Sequence, residues 1–145
     1  MTASARPTRM EALISRGMAD LRHEDVVRPS PKPGQALVHV AAAGVAEWEL
    51  AEIFQREGTC YSRVPGHSLA GEVVAQGDGG SASLGQRVTV RPLIPCGQCR
   101  QCQSGAHASC VQSSYLGRDV DGGWAEYVCV PQENVVSLPD GLSLR

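Results

Sequence analysis

Hydrophobic and polar side chains alternate along several short stretches of the chain, which is the pattern of β-strands with one buried face. In the stretch 35–43, Ala36, Val38 and Val40 fall on the same face of the predicted strand. Strands are predicted at positions 10–14, 35–43, 66–76, 87–93, 124–130 and 134–138. Gly and Pro separate these stretches, and a Pro-rich segment at 28–34 is predicted to be a connector or an edge.

One stretch has the period of a helix instead. Residues 46–56 (AEWELAEIFQR) place Trp48, Leu50, Ala51, Ile53 and Phe54 on a broad apolar face, which predicts a helix. Many short strands with little helix are typical of all-β architectures. The predicted fold class is therefore mainly β, a barrel or a sandwich with short helices.

The composition favours a single globular domain, residues 1–145, with its own core. The chain is 42% hydrophobic, 19% charged and 4% aromatic, with a net charge of −2 and no block of like charge. These values favour neither nucleic acid nor an anionic membrane as a partner. No apolar run approaches the roughly 18 residues of a membrane span, and no signal-peptide pattern follows Met1, so we expect a cytoplasmic protein with a small-molecule ligand.

Four of the six cysteines lie close together, at Cys96, Cys99, Cys102 and Cys110. Clustered cysteines in a reducing compartment bind metal more often than they form disulfides. Four thiolates suit a tetrahedral shell around Zn²⁺, with Zn–S distances of about 2.3 Å. Such a shell leaves no position for a substrate, so the lobe 95–111 is predicted to hold one structural zinc ion per chain.

Two other interpretations of the cysteines are an iron–sulfur cluster and four unrelated buried thiols. A bacterial ferredoxin run places its fourth cysteine after three residues and follows it with proline. Here seven residues separate Cys102 from Cys110, and Val111 follows. The spacing therefore favours zinc.

The residues 10–144 resemble a known family, the N-terminal GroES-like catalytic domain of zinc-containing medium-chain alcohol dehydrogenases. Besides the four-cysteine lobe, the matching pieces are GQALVHVAAAG (34–44), PGH (65–67), AGEVV (70–74), GQRV (85–88), GWAEYV (123–128) and LPDGL (138–142). The resemblance implies a partly open β barrel that carries a zinc lobe.

The chain departs from this family at the catalytic metal. The resemblance implies a second zinc ion whose first ligand is a Cys, but that position holds Ala46. The family positions that often hold a hydroxyl residue and an aspartate are Trp48 and Glu49, and the Gly-His-Glu element is GHS (66–68). Only His67 of the implied ligands remains. A catalytic zinc normally needs three protein ligands, so we expect no such ion at this position.

A second departure concerns the nicotinamide cofactor. The resemblance implies a Rossmann domain after this region, and a dinucleotide site needs a Gly-rich turn between a strand and a helix. The segment GDGG (77–80) lacks the G-x-G-x-x-G spacing and a following helix, and is interpreted as a plain turn. We therefore expect no NAD(P) site in this chain, and no alcohol oxidation by this chain alone.

The remaining chemistry centres on His67. By the resemblance, Glu49 backs the imidazole and fixes its tautomer, which suits general acid–base work, with Ser68 and Glu47 as further candidate catalytic residues. Trp48 and Cys60 are expected to line the same cleft. Alternatively, His67 satisfies a buried hydrogen bond and the two glutamates lie on a solvated helix face. A metal site rebuilt from His67 and nearby carboxylates or Cys60 is a third possibility.

Three functions of different classes follow from these residues. The favoured one is a stand-alone non-redox enzyme of cyclase, isomerase or lyase type that uses the emptied cleft. The second is the catalytic half of a split oxidoreductase whose Rossmann domain is a separate partner. The third is a non-catalytic binding module. Apolar surface that a missing domain would have covered is often covered by self-association, so a homodimer is expected.

Overall fold

The computed structural model describes residues 8–55 and 62–144 of the chain, and within these ranges the architecture is mainly β, as predicted. The strands are β1 (Arg9–Gly17), β2 (Asp20–Val27), β3 (Gln35–Ala43), β4 (Leu69–Gln76), β5 (Arg87–Val90), β6 (Leu93–Ile94), β7 (Ser114–Tyr115), β8 (Tyr127–Pro131) and β9 (Val135–Ser137). The α-helices are α1 (Glu47–Gln55) and α2 (Arg100–Gln103), and short 3₁₀ turns occupy His107–Ser109 and Gln132–Asn134.

The main sheet is antiparallel and has the strand order β8-β3-β4-β5-β9. Strand β3 lies between β4 and β8, so that Val38 is paired with Val73 on one side and with Val128 on the other. All three valines are buried, because alternate positions of these strands face the same core. The buried members of this core are Ala36, Val38, Leu69, Val73, Val88, Val90, Leu116, Val128 and Val130.

Strands β1 and β2 form a separate antiparallel hairpin. Single bridges connect it to the rest of the domain, from Ala12 to Ala125 and from Ser15 to Arg63. The inward positions of β1 alternate along the strand and pack in a second core, whose buried members are Met10, Ala12, Ile14, Ile53, Val64 and Trp124. This second core supports helix α1 and the loop before β4.

Helix α1 lies where it was predicted, but most of the large side chains of its apolar face are exposed. Its buried residues are Glu49 and Ile53, whereas Trp48, Leu50 and Phe54 are 39%, 40% and 48% exposed. Glu49 points inward because its carboxylate accepts the N–H of Ala46, just before the helix, and the backbone N–H of His67 in the loop before β4. A pattern of apolar residues alone does not contain that information.

The predicted strand 87–93 is interrupted, so β5 ends at Val90 and β6 begins at Leu93. Pro92 lies in the gap and has no N–H for a strand ladder. The side-chain amide of Asn134 donates instead to the carbonyl oxygens of Arg91 and Leu93, each at 2.7 Å. In the part of the chain that the structure describes, no helix has the length and apolar character needed to cross a membrane.

Candidate functional site

The four predicted metal ligands converge on one point. The sulfur atoms of Cys96, Cys99, Cys102 and Cys110 all lie within 4.8 Å of one another. The Sγ–Sγ distances from Cys102 are 3.5 Å to Cys99 and 3.9 Å to Cys96, and Cys99 and Cys110 are 3.8 Å apart. A tetrahedron with Zn–S distances of about 2.3 Å has edges of about 3.8 Å. The four-cysteine cluster is therefore suited to a structural zinc ion.

Turns of the lobe aim backbone N–H groups at the sulfur atoms. The N–H of Cys99 donates to Sγ of Cys96 at 3.4 Å, and the N–H of Cys96 donates to Sγ of Cys110 at 3.3 Å. Such bonds stabilise a thiolate, and the N–H of Cys102 is the largest cause that lowers the pKa of Cys99 to about 6. Burial raises the pKa of Cys102 to about 12. The metal-free lobe therefore contains at least one thiol proton that zinc must displace.

The structure brings His67 and Glu49 together, as expected. Nδ1 of His67 lies 2.8 Å from Oε1 of Glu49, and the side chains are 15% and 4% exposed. The Nδ1–H direction is not aligned with this oxygen, so the contact is a close electrostatic pair rather than a well-formed hydrogen bond.

Glu49 also connects two segments of backbone. Its Oε2 accepts the N–H of Ala46 at 2.8 Å, just before α1, and its Oε1 accepts the backbone N–H of His67 at 2.9 Å. Hydrogen bonds from N–H groups to a carboxylate are stronger than those between neutral groups. Glu49 thus fixes the start of α1 to the loop that carries His67.

The backbone conformation before His67 requires glycine. Gly66 has a φ of 100°, and a Cβ at this position would lie 2.3 Å from Cδ1 of Trp124. Trp124 in turn donates its Nε1–H to the carbonyl oxygen of Gly44 at 2.9 Å, and its backbone N–H to that of Pro65 at 3.0 Å. The indole therefore packs directly under the loop that presents the imidazole.

An open depression of about 480 Å³ lies beside His67. It is lined by Ala42, Ala43, Gly44, His67, Ser68, Leu69, Ala70, Thr89, Val90 and Pro92. Ser68 is exposed there, as expected for a residue beside the imidazole. The predicted cleft is thus a shallow surface rather than a deep pocket.

Two other expected members of this site have different outcomes. Glu47 is exposed at the start of α1 and does not line the depression, because the helix turns Glu49 rather than Glu47 toward His67. A catalytic role of Glu47 stays a prediction. Cys60 lies outside the described residues.

The family's catalytic zinc does not fit the residues around His67. In the described ranges, the only cluster of at least three potential ligand groups is that of the four lobe cysteines. Both oxygens of Glu49 accept backbone N–H groups, and position 46 carries a methyl group. Among residues 8–55 and 62–144, His67 therefore has no set of partners for a tetrahedral ion.

Two aromatic contacts at this site were not identified from the sequence. Tyr115 lies 5.9 Å from the His67 ring, measured between ring centroids, and Trp124 holds the loop from below. Tyr115 belongs to a two-residue strand, which is too short for a periodic pattern. Trp124 lies in the motif GWAEYV. A buried indole N–H needs a hydrogen-bond acceptor, so the sequence could have suggested that Trp124 is bonded to a neighbouring segment.

These features define a mainly β domain with a four-cysteine lobe and a separate imidazole site. Residues 32–140 match the family model described as the alcohol dehydrogenase GroES-like domain. The chain belongs to this family, which confirms the resemblance seen in the sequence motifs.

Named relatives agree with this assignment. Galactitol 1-phosphate 5-dehydrogenase from Escherichia coli K12 is 31% identical over 127 residues, which are 87% of this chain and 34% of that enzyme. An alcohol dehydrogenase from E. coli CFT073, solved with NADH, has a TM-score of 0.87 at 29% identity, over 95% of this chain and 41% of its own. A thermostable alcohol dehydrogenase from Pyrobaculum aerophilum, solved with cobalt and zinc, has a TM-score of 0.83 at 29% identity, over 94% and 43%. The chain thus spans less than half the length of each relative.

Proposed function

We propose that this domain binds a small polar molecule in the depression beside His67 and transfers protons through that imidazole, in a non-redox reaction of isomerase, lyase or cyclase type. The observation that carries the proposal is the 2.8 Å contact between Nδ1 of His67 and the buried carboxylate of Glu49. A buried carboxylate on one ring nitrogen leaves the other nitrogen, Nε2, to exchange a proton with a ligand.

The residues around the imidazole have different roles in the proposed reaction. Glu49 lies against the Nδ1 edge of the ring, the place that a carboxylate takes beside an imidazole in many proton-transfer sites. Ser68 offers a hydroxyl at the exposed rim, which can donate to or accept from a polar ligand. The four-cysteine lobe holds one structural zinc ion and takes no part in the reaction, since a closed thiolate shell has no open position.

The names of relatives support a proposal for the class of ligand. The names of two matched enzymes specify a polyol phosphate and 2R,3R-butanediol, both of which contain adjacent oxygen-bearing carbons. Oxidation of one carbon of such a molecule gives an α-hydroxycarbonyl compound. A base beside such a compound can remove the proton on the carbon next to the carbonyl group, which is the first step of isomerisation or elimination. We therefore propose small α-hydroxycarbonyl compounds as substrates.

A second candidate function is the substrate-binding part of an oxidoreductase whose hydride carrier is bound elsewhere. This candidate is favoured by the relatives that are dehydrogenases and by the NADH in one matched structure, of which the chain covers 41%. In that case a separate nucleotide-binding partner, or further protein sequence, supplies the cofactor site. His67 then exchanges the proton of the alcohol, while hydride transfer takes place on the cofactor.

Replacing His67 with Ala tests the proposed proton transfer. We expect exchange of the α-proton of acetoin with deuterium, followed by ¹H NMR in D₂O without nicotinamide, to fall by about a hundredfold or more, because the base is lost. Glu49→Gln should lower the rate less, since a glutamine keeps the size of the side chain. The matched control is His23→Ala, because His23 is 66% exposed on the β1–β2 hairpin.

Two results would contradict the proposal. Equal exchange in the wild-type protein and His67→Ala would remove the imidazole from the reaction. Absence of exchange in the wild type, together with oxidation of a diol after addition of a nucleotide-binding partner and NAD⁺, would favour the second candidate.

A further inference from the structure

Trp48 and Glu49 are consecutive residues of α1, and both contact His67. The indole of Trp48 lies 4.8 Å from the imidazole between ring centroids, with the planes inclined by 44°. Glu49 approaches the Nδ1 edge of the same ring at 2.8 Å. Successive side chains of a helix point about 100° apart, so the two reach the imidazole from different directions.

Tyr115 completes the group from a different part of the chain. Its ring centroid lies 5.9 Å from that of Trp48, in an edge-to-face arrangement, and 5.9 Å from that of His67. Each pair of the three rings is therefore within the range of favourable aromatic contacts. Together with Glu49, the rings leave only 15% of the His67 side chain exposed.

The contact of His67 with Glu49 does not fix the ring as an aligned hydrogen bond or a bound metal ion would. In the described ranges no three-ligand set includes His67, and its Nδ1 has no aligned hydrogen bond. An imidazole held by neither a metal nor an aligned bond would be free to turn about its χ angles. The Trp48 ring lies against the imidazole, 4.8 Å away between ring centroids, and is therefore placed to limit that rotation.

We infer that Trp48 is a positioning residue that holds the His67 ring in one orientation and covers one face of it. The effect of Trp48 on turnover rests on the proposed function, because it requires that His67 transfers protons. The contact between Trp48 and His67 does not depend on that function. Trp48 is 39% exposed, so the part of the indole that does not contact His67 faces solvent. The same side chain can thus both position the imidazole and meet a ligand that enters from solvent.

The test measures how fast diethyl pyrocarbonate modifies His67, with peptide mass spectrometry to resolve each histidine. In this reaction a neutral imidazole nitrogen attacks the reagent's carbonyl group and becomes N-carbethoxylated, and the leaving group departs as carbon dioxide and ethanol. We expect Trp48→Ala to accelerate modification of His67 by about three- to tenfold, the range that the loss of one aromatic contact gives. The rate at His23, which is 66% exposed, is the internal reference.

Conservative and control variants separate positioning from a general loss of structure. Trp48→Phe keeps a ring and should keep the wild-type rate within about twofold. Leu50→Ala, on the same helix and 40% exposed, should leave the rate unchanged. Trp48→Leu serves if the alanine variant does not fold, with zinc content and far-UV circular dichroism as the criteria for folding.

An unchanged His67 rate in both Trp48→Ala and Trp48→Leu would overturn the inference. If the proposed function fails, no variant exchanges the protons of acetoin. The rate of His67 modification would nevertheless still depend on the side chain at position 48. If both proposals hold, the exchange rate falls in Trp48→Ala and is restored in Trp48→Phe.

Discussion

We expect Cys102→Ser to lose the zinc ion and the ordered structure of the lobe. Cys102 is the most buried of the four ligands, at 7% exposure, and its sulfur lies within 3.9 Å of those of Cys96 and Cys99. The lobe contains only a four-residue helix and a 3₁₀ turn, so it has little apolar core of its own. Structural zinc sites contribute about 10–16 kcal/mol of apparent binding free energy in small peptides, which here must maintain the lobe.

Metal analysis and amide hydrogen exchange check this expectation. Zinc should fall from about one equivalent per chain to less than about a tenth, and the amides of residues 96–110 should lose protection. Cys129→Ser is the matched control, because Cys129 lies in β8, away from the cluster. A full equivalent of zinc in Cys102→Ser, or two equivalents in the wild type, would contradict the assignment of a single four-thiolate site.

The protonation of the cysteines also determines how the apparent zinc affinity changes with pH. Zinc binds thiolates, whereas burial raises the pKa of Cys102 to about 12 in the metal-free lobe, so binding releases protons. Acid therefore favours the protonated, metal-free state, and the apparent zinc affinity should decrease as the pH falls. Competition with a chromophoric chelator at several pH values measures this slope.

The second large effect is expected from Glu49→Ala, which should destabilise the domain by about 3–5 kcal/mol. The carboxylate is 4% exposed and accepts the backbone N–H groups of Ala46 and His67. Its removal leaves two half-buried donors without these partners and leaves a cavity at the start of α1. Glu49→Gln retains an acceptor oxygen and the volume, so its cost should be smaller, about 1–2 kcal/mol.

Urea denaturation of zinc-saturated protein measures these differences. Glu47→Ala is the matched control from the same helical turn, and its exposed side chain should change the free energy of unfolding by less than about 0.5 kcal/mol. A Glu49→Ala variant as stable as the control would show that the carboxylate does not hold the helix to the loop. The free energy should then be compared at several zinc concentrations to exclude an effect of the lobe.

Features whose chemistry is local could be predicted from the sequence. The spacing of the four cysteines is set by the reach of short turns around one ion, so the ligands were found without knowledge of the fold. The strand at 35–43 was found because one strand has a strict period of two, and its observed bounds are the same. The motifs likewise indicated the family before any contact was known.

Features that depend on contacts between distant segments could not be predicted in the same way. The buried side of α1 is decided by Glu49 and a backbone N–H eighteen positions later, which a helical period does not include. For this reason the pattern of apolar residues did not show that Glu49 is buried while Leu50 and Phe54 are exposed. The contact of Tyr115 with His67 depends on a strand of only two residues, which is too short to show an alternation of hydrophobic and polar residues.

Trp124 determines when the candidate site can assemble. Its indole N–H bonds to Gly44, its backbone N–H bonds to Pro65, and its carbonyl oxygen accepts the N–H of Leu13. These bonds join segments that are 59 to 111 positions away in the sequence, so they form only after residue 124 has been synthesised. The first 110 residues already contain His67, Glu49 and every zinc ligand, yet a nascent chain of that length cannot lock the imidazole loop. Metal capture can thus precede maturation of the reactive surface.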